Sequence, residues 1–351
     1  MTPTVNFATT RHALSASLER LASPWLSVAF FLLSAAGALA TAYQWSDATL
    51  LMALPFALLG LNLGAAIATH ARFRADAPLL LFHLALLALV LLFIYGRLTY
   101  FDGLAAVTRH TAFDGQFERE DHGPLHGEGF RTLSFANEGF VERDPSGQYR
   151  NTLNRVRWQD ADTGRWLSAE INNDRPLLLG DYRIYPTTRN QGFSPRLSWQ
   201  AAAGGPAELG TVQLPPPPAV PEDFPRGIKW SLADGTELWT HLRTTVPKEV
   251  FARQANLGVD SLDHVLVIRQ GEARYELRPG ESAALAGGRL SYLSLDSWIG
   301  YRVTGDPSGP WQVATILVAV GSMIVFYVRR LRRRGSDADA VVANGTATEG
   351  T

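Results

Sequence analysis

One histidine stands within the most apolar stretch of this 351-residue chain. The stretch LLLFHLALLALVLLFIYG, residues 79–96, surrounds His83 with side chains that offer it no hydrogen-bond partner. A buried polar group without a partner costs about 1–3 kcal/mol, so we expect His83 to face a bundle interior, a partner subunit or a ligand. An apolar medium favours neutral imidazole, the form that binds iron, and a single histidine is a common axial ligand of haem. Two interpretations stay open: a haem ligand, or a histidine bonded to a carbonyl or hydroxyl of a neighbouring helix.

A second group of candidate residues lies in the short sequence HARFR. His70 ends an apolar segment and is followed by Arg72 and Arg74. One interpretation is an interfacial cationic patch near lipid headgroups. The other is that the two arginines meet the propionates of an incoming porphyrin during haem uptake. Asn62, inside the preceding apolar segment, is predicted to pair two helices.

The remaining histidines give weaker signals. In RHTAFDGQFEREDHGPLHGEG, three histidines accompany acidic residues, but Gly123 and Pro124 interrupt any helical HxxxH spacing, so we expect a solvated loop. No nucleophile motif, Walker loop, GxGxxG or HExxH is present, and no basic face studded with aromatic residues suggests nucleic acid. The chain has no cysteine, which excludes a thiol redox role, a thiolate-ligated iron–sulfur cluster and a cysteine-based zinc site. We therefore predict no complete catalytic site within this chain.

Four apolar segments could position these residues in a bilayer. A hydrocarbon core of about 30 Å takes roughly 20 apolar residues as a helix. In lipid every backbone polar group must be paired within the segment, so each segment is predicted to be helical. The segments are residues 24–43, 48–68, 79–96 and 311–328, and none carries a charge inside.

The arginines predict how these helices are oriented. Arg11 and Arg20 precede the first segment, Arg72 and Arg74 lie between the second and third, and five arginines follow the fourth within residues 329–334. If the chain crosses four times, all three groups fall on one side, which the positive-inside rule assigns to the cytoplasm. Both termini are then cytoplasmic, and residues 102–310 lie outside.

The region outside is predicted to be rich in β-strands. NRVRWQD and RWLSAEI flank the turn Asp162–Gly164, and DHVLVIRQ and RYELRPG flank Gly271-Glu272, as in β-hairpins. DYRIYPT and RLSWQA predict two further strands, and together these elements favour a sandwich or curved sheet. We also predict a polyproline spacer at Pro215–Pro218, a short helix over 245–258, and disorder after Arg334.

The predicted fold class is therefore an integral membrane protein with four transmembrane α-helices and a large β-rich extracytoplasmic domain. Three of the helices are N-terminal and one is C-terminal. The predicted boundaries are a cytoplasmic segment 1–23, a three-helix region 24–101, the β-rich domain 102–310, a fourth helix 311–328 and a basic, then disordered, tail 329–351.

The order of these segments resembles the ResB family of cytochrome c biogenesis proteins, which act in the system II pathway. The resemblance is carried by LLGLNLGAA, LLFHLALLALVLLFIYGRLTYFDG, PLLLGDYRIYPTT and GYRVTGDPSGPWQVATILVAVGSMIVFYVRRLRRR. It covers most of residues 20–334, with a poor match over about 200–260.

This resemblance implies a membrane haem-export and cytochrome c synthase complex. Family members work in the bacterial cytoplasmic (inner) membrane with a CcsA-like or ResC-like protein that carries a tryptophan-rich haem-handling motif. The pair moves haem b outward, where it is joined to the CXXCH cysteines of apocytochrome c. The family's third-span histidine is proposed to ligate haem, and His83 sits at that place. The tryptophan-rich motif and the outer histidine pair are missing here, so the chain is not expected to complete the reaction alone.

Two other classes of function stay open. One is a b-type haem or quinone electron-transfer subunit, which usually needs two histidines on facing helices; only His70 and His83 are candidates. The other is a membrane-anchored sensor or scaffold whose outer domain binds a peptide by adding a strand to a sheet edge.

Overall fold

The computed structural model describes residues 16–43, 48–143, 151–160, 162–215, 227–232, 234–244, 259 and 262–347. The chain forms two compact units. A helical unit comprises Met1–Tyr100, His122–His126 and Asp306–Thr351, and a β-rich unit comprises Phe101–Asp121 and Gly127–Gly305. The predicted helix over 245–258 and all of the polyproline spacer except Pro215 lie outside the described residues.

From Pro24 onwards, the described part of the helical unit contains four long helices and one short one. They are α1 (Pro24–Ala42), α2 (Ala48–Thr69), α3 (Ala71–Ala75), α4 (Ala77–Thr99) and α5 (Gly309–Ala347). Among the described residues, three helical stretches are long and apolar enough to cross a membrane: Leu51–Thr69, Ala77–Thr99 and Gly309–Arg332. The apolar part of α1, Pro24–Ala40, is shorter. The chain thus combines helices of membrane-spanning character with a large β-rich region.

Helix α5 extends beyond the predicted fourth span. It continues to Ala347, where the small polar composition after Arg334 had predicted disorder. Extending an existing helix avoids the nucleation cost, and the interior glycine Gly335 costs only about 1 kcal/mol relative to alanine. No proline follows Pro310 to stop the helix.

The predicted role of Asn62 in pairing helices is confirmed. Its side chain is buried in α2 and its Nδ2 donates hydrogen bonds to the carbonyl oxygens of Leu21 (2.5 Å) and Ser23 (3.1 Å). Its Oδ1 accepts a hydrogen bond from the Ser27 hydroxyl of α1 at 2.5 Å. The carbonyl groups of Leu21 and Ser23 precede α1, so one amide fixes the start of α1 against the middle of α2.

The β-rich unit contains fourteen described strands in three sheets. A seven-stranded sheet has the order β2-β1-β14-β7-β6, with β13 on β14 and β8 on β7; the others have the orders β12-β11-β10-β9 and β3-β4-β5. The strands are β1 (Phe101–Thr108), β2 (Arg119–His122), β3 (Phe135–Arg143), β4 (Asn151–Gln159), β5 (Trp166–Ile171), β6 (Leu177–Leu179), β7 (Tyr182–Ala201), β8 (Glu208–Thr211), β9 (Ile228–Ser231), β10 (Glu237–Thr244), β11 (His264–Gln270), β12 (Ala273–Leu277), β13 (Ser282–Leu285) and β14 (Gly288–Gly305).

The predicted hairpins are present, but two predicted strands are one. The pairs β4–β5 and β11–β12 are antiparallel around the expected turns. DYRIYPT and RLSWQA belong to the single 20-residue strand β7, which pairs antiparallel with β14. Register shifts between Tyr292 and Ser294 and between Ile299 and Tyr301 let this long pair bend. The sequence predicted two separate strands here, so the continuous pairing of β7 with β14 was not predicted.

Two hydrophobic cores lie along this long strand pair. One gathers side chains such as Trp199, Leu238, Leu266 and Tyr292. The other gathers Phe101, Phe135, Val156 and Tyr301. Strands β7 and β14 contribute side chains to both cores, so this strand pair connects the two cores of the unit.

Candidate functional site

The structure places His83 near the start of α4, in its second turn. The helix begins at Ala77 with Pro78 in its first turn, where the missing proline N–H costs nothing. His83 is half-buried, and its Nδ1 lies 2.7 Å from the carbonyl oxygen of Leu79. One of the two interpretations from the sequence placed its hydrogen-bond partner on a neighbouring helix. The partner is instead one turn earlier on the same helix, because residues i and i−4 stack along a helix face.

This contact determines which imidazole nitrogen can bind a ligand. A carbonyl oxygen only accepts a hydrogen bond, so Nδ1 of His83 must carry the hydrogen. The neutral ring then has its lone pair on Nε2. Metal-binding histidines commonly hold one ring N–H against a backbone carbonyl while the other nitrogen binds the metal. The donor set of His83 therefore fits an axial ligand of haem iron.

The aromatic rings of two phenylalanines contact the imidazole of His83. The Phe73 ring of α3 lies 4.2 Å from it, centroid to centroid, and the Phe82 ring lies 5.3 Å away in an edge-to-face arrangement. Phe73 also contacts the His70 ring at 5.8 Å. Phe73 is half-buried, whereas its neighbours Arg72 and Arg74 are exposed. Its contact with His83 was not predicted from the sequence, where its one signal is a single aromatic residue between two arginines.

The other predicted residues lie on the segment that joins α2 to α4. His70 is exposed, and its Nδ1 lies 3.2 Å from the carbonyl oxygen of Ala66. Arg72 and Arg74 are exposed on α3 and form no ion pair with any side chain that the structure describes. The Phe73 ring thus contacts both His70 and His83. The side chains of Arg72 and Arg74 are exposed.

The loop with the outer histidines is largely exposed, as expected, but it is also hydrogen-bonded to the helical unit. Residues 122–126 belong to the helical unit and bind the C-terminal end of α4. The backbone N–H groups of Gly123 and Leu125 donate to the carbonyl oxygens of Tyr100 (2.9 Å) and Leu98 (2.8 Å). Nδ1 of His126 donates to the Thr99 carbonyl at 2.7 Å.

The other histidines do not assemble a metal centre. The imidazole rings of His122 and His126 lie 6.2 Å apart, but within the described ranges no group of three or more histidine or acidic side chains could hold a metal ion. His264 is buried, and both its ring nitrogens are bonded, to the Leu262 carbonyl and the Tyr292 hydroxyl, each at 2.6 Å. Its role is structural.

A second candidate site is a cleft in the β-rich unit. It has a volume of about 250 Å³ and is lined by residues of β7, β8 and β9, including Trp199, Leu209 and Trp230. Leu209 is 72% exposed. Among the described strands, β8 pairs only with β7 and β9 only with β10, so each presents an edge. An edge strand beside an aromatic cleft can accept an extended peptide.

The protein was compared with protein-family models and with curated proteins, and neither comparison gives a match to this chain.

Proposed function

We propose that this chain is the haem-handling membrane subunit of a ResB-like cytochrome c synthase complex, with Nε2 of His83 as an axial ligand of haem iron. The observation that carries the proposal is the hydrogen bond from Nδ1 of His83 to the Leu79 carbonyl. It orients the ring and leaves the Nε2 lone pair for iron. The aromatic rings of Phe73 and Phe82 supply an apolar surface of the kind that suits a porphyrin face.

In this proposal the helices cross the bacterial cytoplasmic membrane with both termini inside. Haem is a cargo that the chain takes up from the cytoplasmic side, near His70, Arg72 and Arg74, where the two guanidinium groups suit its propionates. The chain shares haem with a CcsA-like or ResC-like partner. The β-rich unit lies outside, where apocytochrome c receives the haem. The chain holds and positions haem and does not catalyse attachment by itself.

The test is the visible absorption spectrum of the protein, purified with its membrane partner. The wild type, His83→Ala and a matched control, His70→Ala, are compared at equal protein concentration. We expect the Soret band of His83→Ala to fall at least fivefold and to return with added imidazole, and we expect His70→Ala to keep most of its haem. Equal haem in the wild type and His83→Ala would exclude the ligand role.

The electron-transfer alternative requires both His70 and His83 as ligands. The exposure of His70 and the Phe73 ring, which contacts both imidazoles, favour a single histidine ligand over a facing pair. A bis-histidine spectrum that is lost in both variants would support the alternative instead.

The peptide-binding alternative is favoured by one observation, the cleft beside the β8 and β9 edges. It is compatible with the main proposal, because holding apocytochrome c is also peptide binding. Trp230→Ala should weaken binding of a synthetic apocytochrome CXXCH peptide, measured by fluorescence anisotropy, if the cleft holds this substrate. Unchanged anisotropy would exclude the cleft as its site.

A further inference from the structure

Among the side chains that the structure describes, six exposed arginines lie next to ends of the apolar helices. Each is exposed and lies before α1, between α2 and α4, or directly after the apolar part of α5; they are Arg20, Arg72, Arg74, Arg329, Arg330 and Arg332. If the helices cross a bilayer in turn, connectivity places all six on the same side. The carboxylates nearest to them in sequence are Glu19 and Asp76, and Asp337 and Asp339 follow the arginines of α5 in the same helix.

None of these six arginines forms an ion pair with a side chain in the described part of the chain. In the described part of the β-rich unit, some arginines such as Arg119 also form no ion pair, but eight pair with carboxylates: Arg131, Arg155, Arg157, Arg196, Arg243, Arg274, Arg278 and Arg302. Unpaired arginines are ordinary at an open surface. Here they concentrate where apolar helices end, so an external anion is the natural counter-charge.

Helix α5 gives this basic surface a fixed geometry. The helix runs without interruption through Arg329, Arg330 and Arg332. Arg329 and Arg332, three residues apart, share one face of the helix, while Arg330 points to another. The arginines therefore lie on two faces of the helix just beyond Val328, at the depth where phosphate groups of a bilayer lie next to its hydrocarbon core.

We propose that these six arginines form a binding surface for the phosphate groups of anionic phospholipids in the cytoplasmic leaflet. Juxtamembrane arginine clusters attract anionic lipids, and guanidinium groups bind phosphate oxygens in a bidentate manner. The inference rests on the membrane embedding in the proposed function, and it is independent of haem ligation by His83. At Arg72 and Arg74, lipid phosphates and the propionates of incoming haem compete for the same guanidinium groups. As a consequence, the content of anionic lipid in this leaflet changes how strongly the helical unit is anchored in the membrane.

The test uses the full chain in detergent micelles, titrated with phosphatidylglycerol or phosphatidylcholine and analysed by native mass spectrometry. We compare the wild type with Arg329→Gln/Arg330→Gln/Arg332→Gln. The matched control is Arg119→Gln/Arg165→Gln/Arg175→Gln, which removes the same charge from exposed sites of the β-rich unit. His83→Ala is a second control.

We expect the wild type to retain phosphatidylglycerol about fivefold or more over phosphatidylcholine, and the α5 triple variant to lose most of this preference. The control triple variant and His83→Ala should keep it, and 0.5 M salt should weaken it by screening. Equal retention of both lipids by the wild type, an unchanged preference in the α5 variant, or full competition by 10 mM inorganic phosphate would overturn the proposal. Loss of haem in His83→Ala with an intact lipid preference separates the two proposals. Both proposals assume that the helices cross the membrane. Extraction of the protein from membranes by alkaline carbonate would therefore contradict both.

Discussion

Nδ1 of His83 donates a hydrogen bond to the carbonyl oxygen of Leu79, one turn earlier in the same helix, at 2.7 Å. This contact requires the Nδ1–H tautomer, whereas free neutral histidine in water prefers the Nε2–H tautomer. Solid-state NMR of ring-¹⁵N-labelled protein in bilayers should therefore show a protonated Nδ1 and a bare Nε2 for His83 without haem. The His83→Ala spectrum assigns the signal. A protonated Nε2 in the neutral ring would contradict both the hydrogen bond and the proposed ligand atom.

Asn62 joins α1 to α2, and removing its amide should loosen that contact. Asn62→Ala leaves the Ser27 hydroxyl and the Leu21 carbonyl without their partner. We expect a loss of about 1–3 kcal/mol in the free energy of unfolding, measured by thermal or chemical unfolding in detergent. Ser27→Ala removes only one of these bonds and should cost less. An Asn62→Ala protein as stable as the wild type would show that lipid or detergent replaces these hydrogen bonds.

Gly96 permits the close contact between α4 and the start of α5. A Cβ atom at Gly96 would lie 2.5 Å from the hydroxyl oxygen of Ser308, which is fully buried. Gly96→Ala should therefore destabilise the helical unit by about 1–3 kcal/mol through overpacking. Gly64→Ala is the matched control in α2, because nothing lies within 4 Å of its Cβ position. A melting temperature that falls equally in both variants would contradict this explanation.

Gly123 allows residues 122–126 to bind the end of α4. A Cβ atom at Gly123 would overlap the carbonyl group of Leu98. We expect Gly123→Ala to detach the loop and to raise hydrogen exchange at the Leu125 amide at least tenfold. Gly127→Ala has no neighbour within 4 Å and a φ of −78°, so it should leave exchange unchanged. Continued protection of Leu125 in Gly123→Ala would mean that the loop is held by other contacts.

Two buried tyrosines should make the β-rich unit sensitive to alkaline pH. Burial raises the pKa values of Tyr292 and Tyr301 well above the ordinary value of 10.0, because the apolar cores disfavour phenolate. Both groups stay protonated in the folded state while their unfolded counterparts ionise. Their contribution to the free energy of unfolding is therefore complete below pH 10.0 and falls as pH rises above it.

The measurement is the urea midpoint between pH 9 and 11, with absorbance at 295 nm to follow tyrosinate. Tyr301 donates a hydrogen bond to Oδ1 of Asn154 at 2.8 Å, so Tyr301→Phe should cost about 1–3 kcal/mol at neutral pH and flatten the decline above pH 10. Tyr275→Phe, at a half-buried position, serves as the control at neutral pH. An identical pH dependence in the wild type and Tyr301→Phe would exclude this mechanism for Tyr301.

The sequence by itself determined the features that depend on neighbouring residues. Long apolar runs without charge gave the helices, because such runs can pair every backbone group internally. The turn residues Asp162–Gly164 and Gly271-Glu272 placed two hairpins correctly, because turn chemistry is local. The isolation of His83 in an apolar run also identified it as a candidate ligand.

Only the tertiary structure decided how residues distant in sequence meet. In the folded chain His83 donates to the Leu79 carbonyl, and Phe73 contacts the imidazole. Residues 122–126 are hydrogen-bonded to the end of α4. The tertiary structure also merged two predicted strands into β7 by pairing them with β14, more than a hundred residues later in places. Such contacts depend on which surfaces bury each other, and local propensity carries no information about that choice.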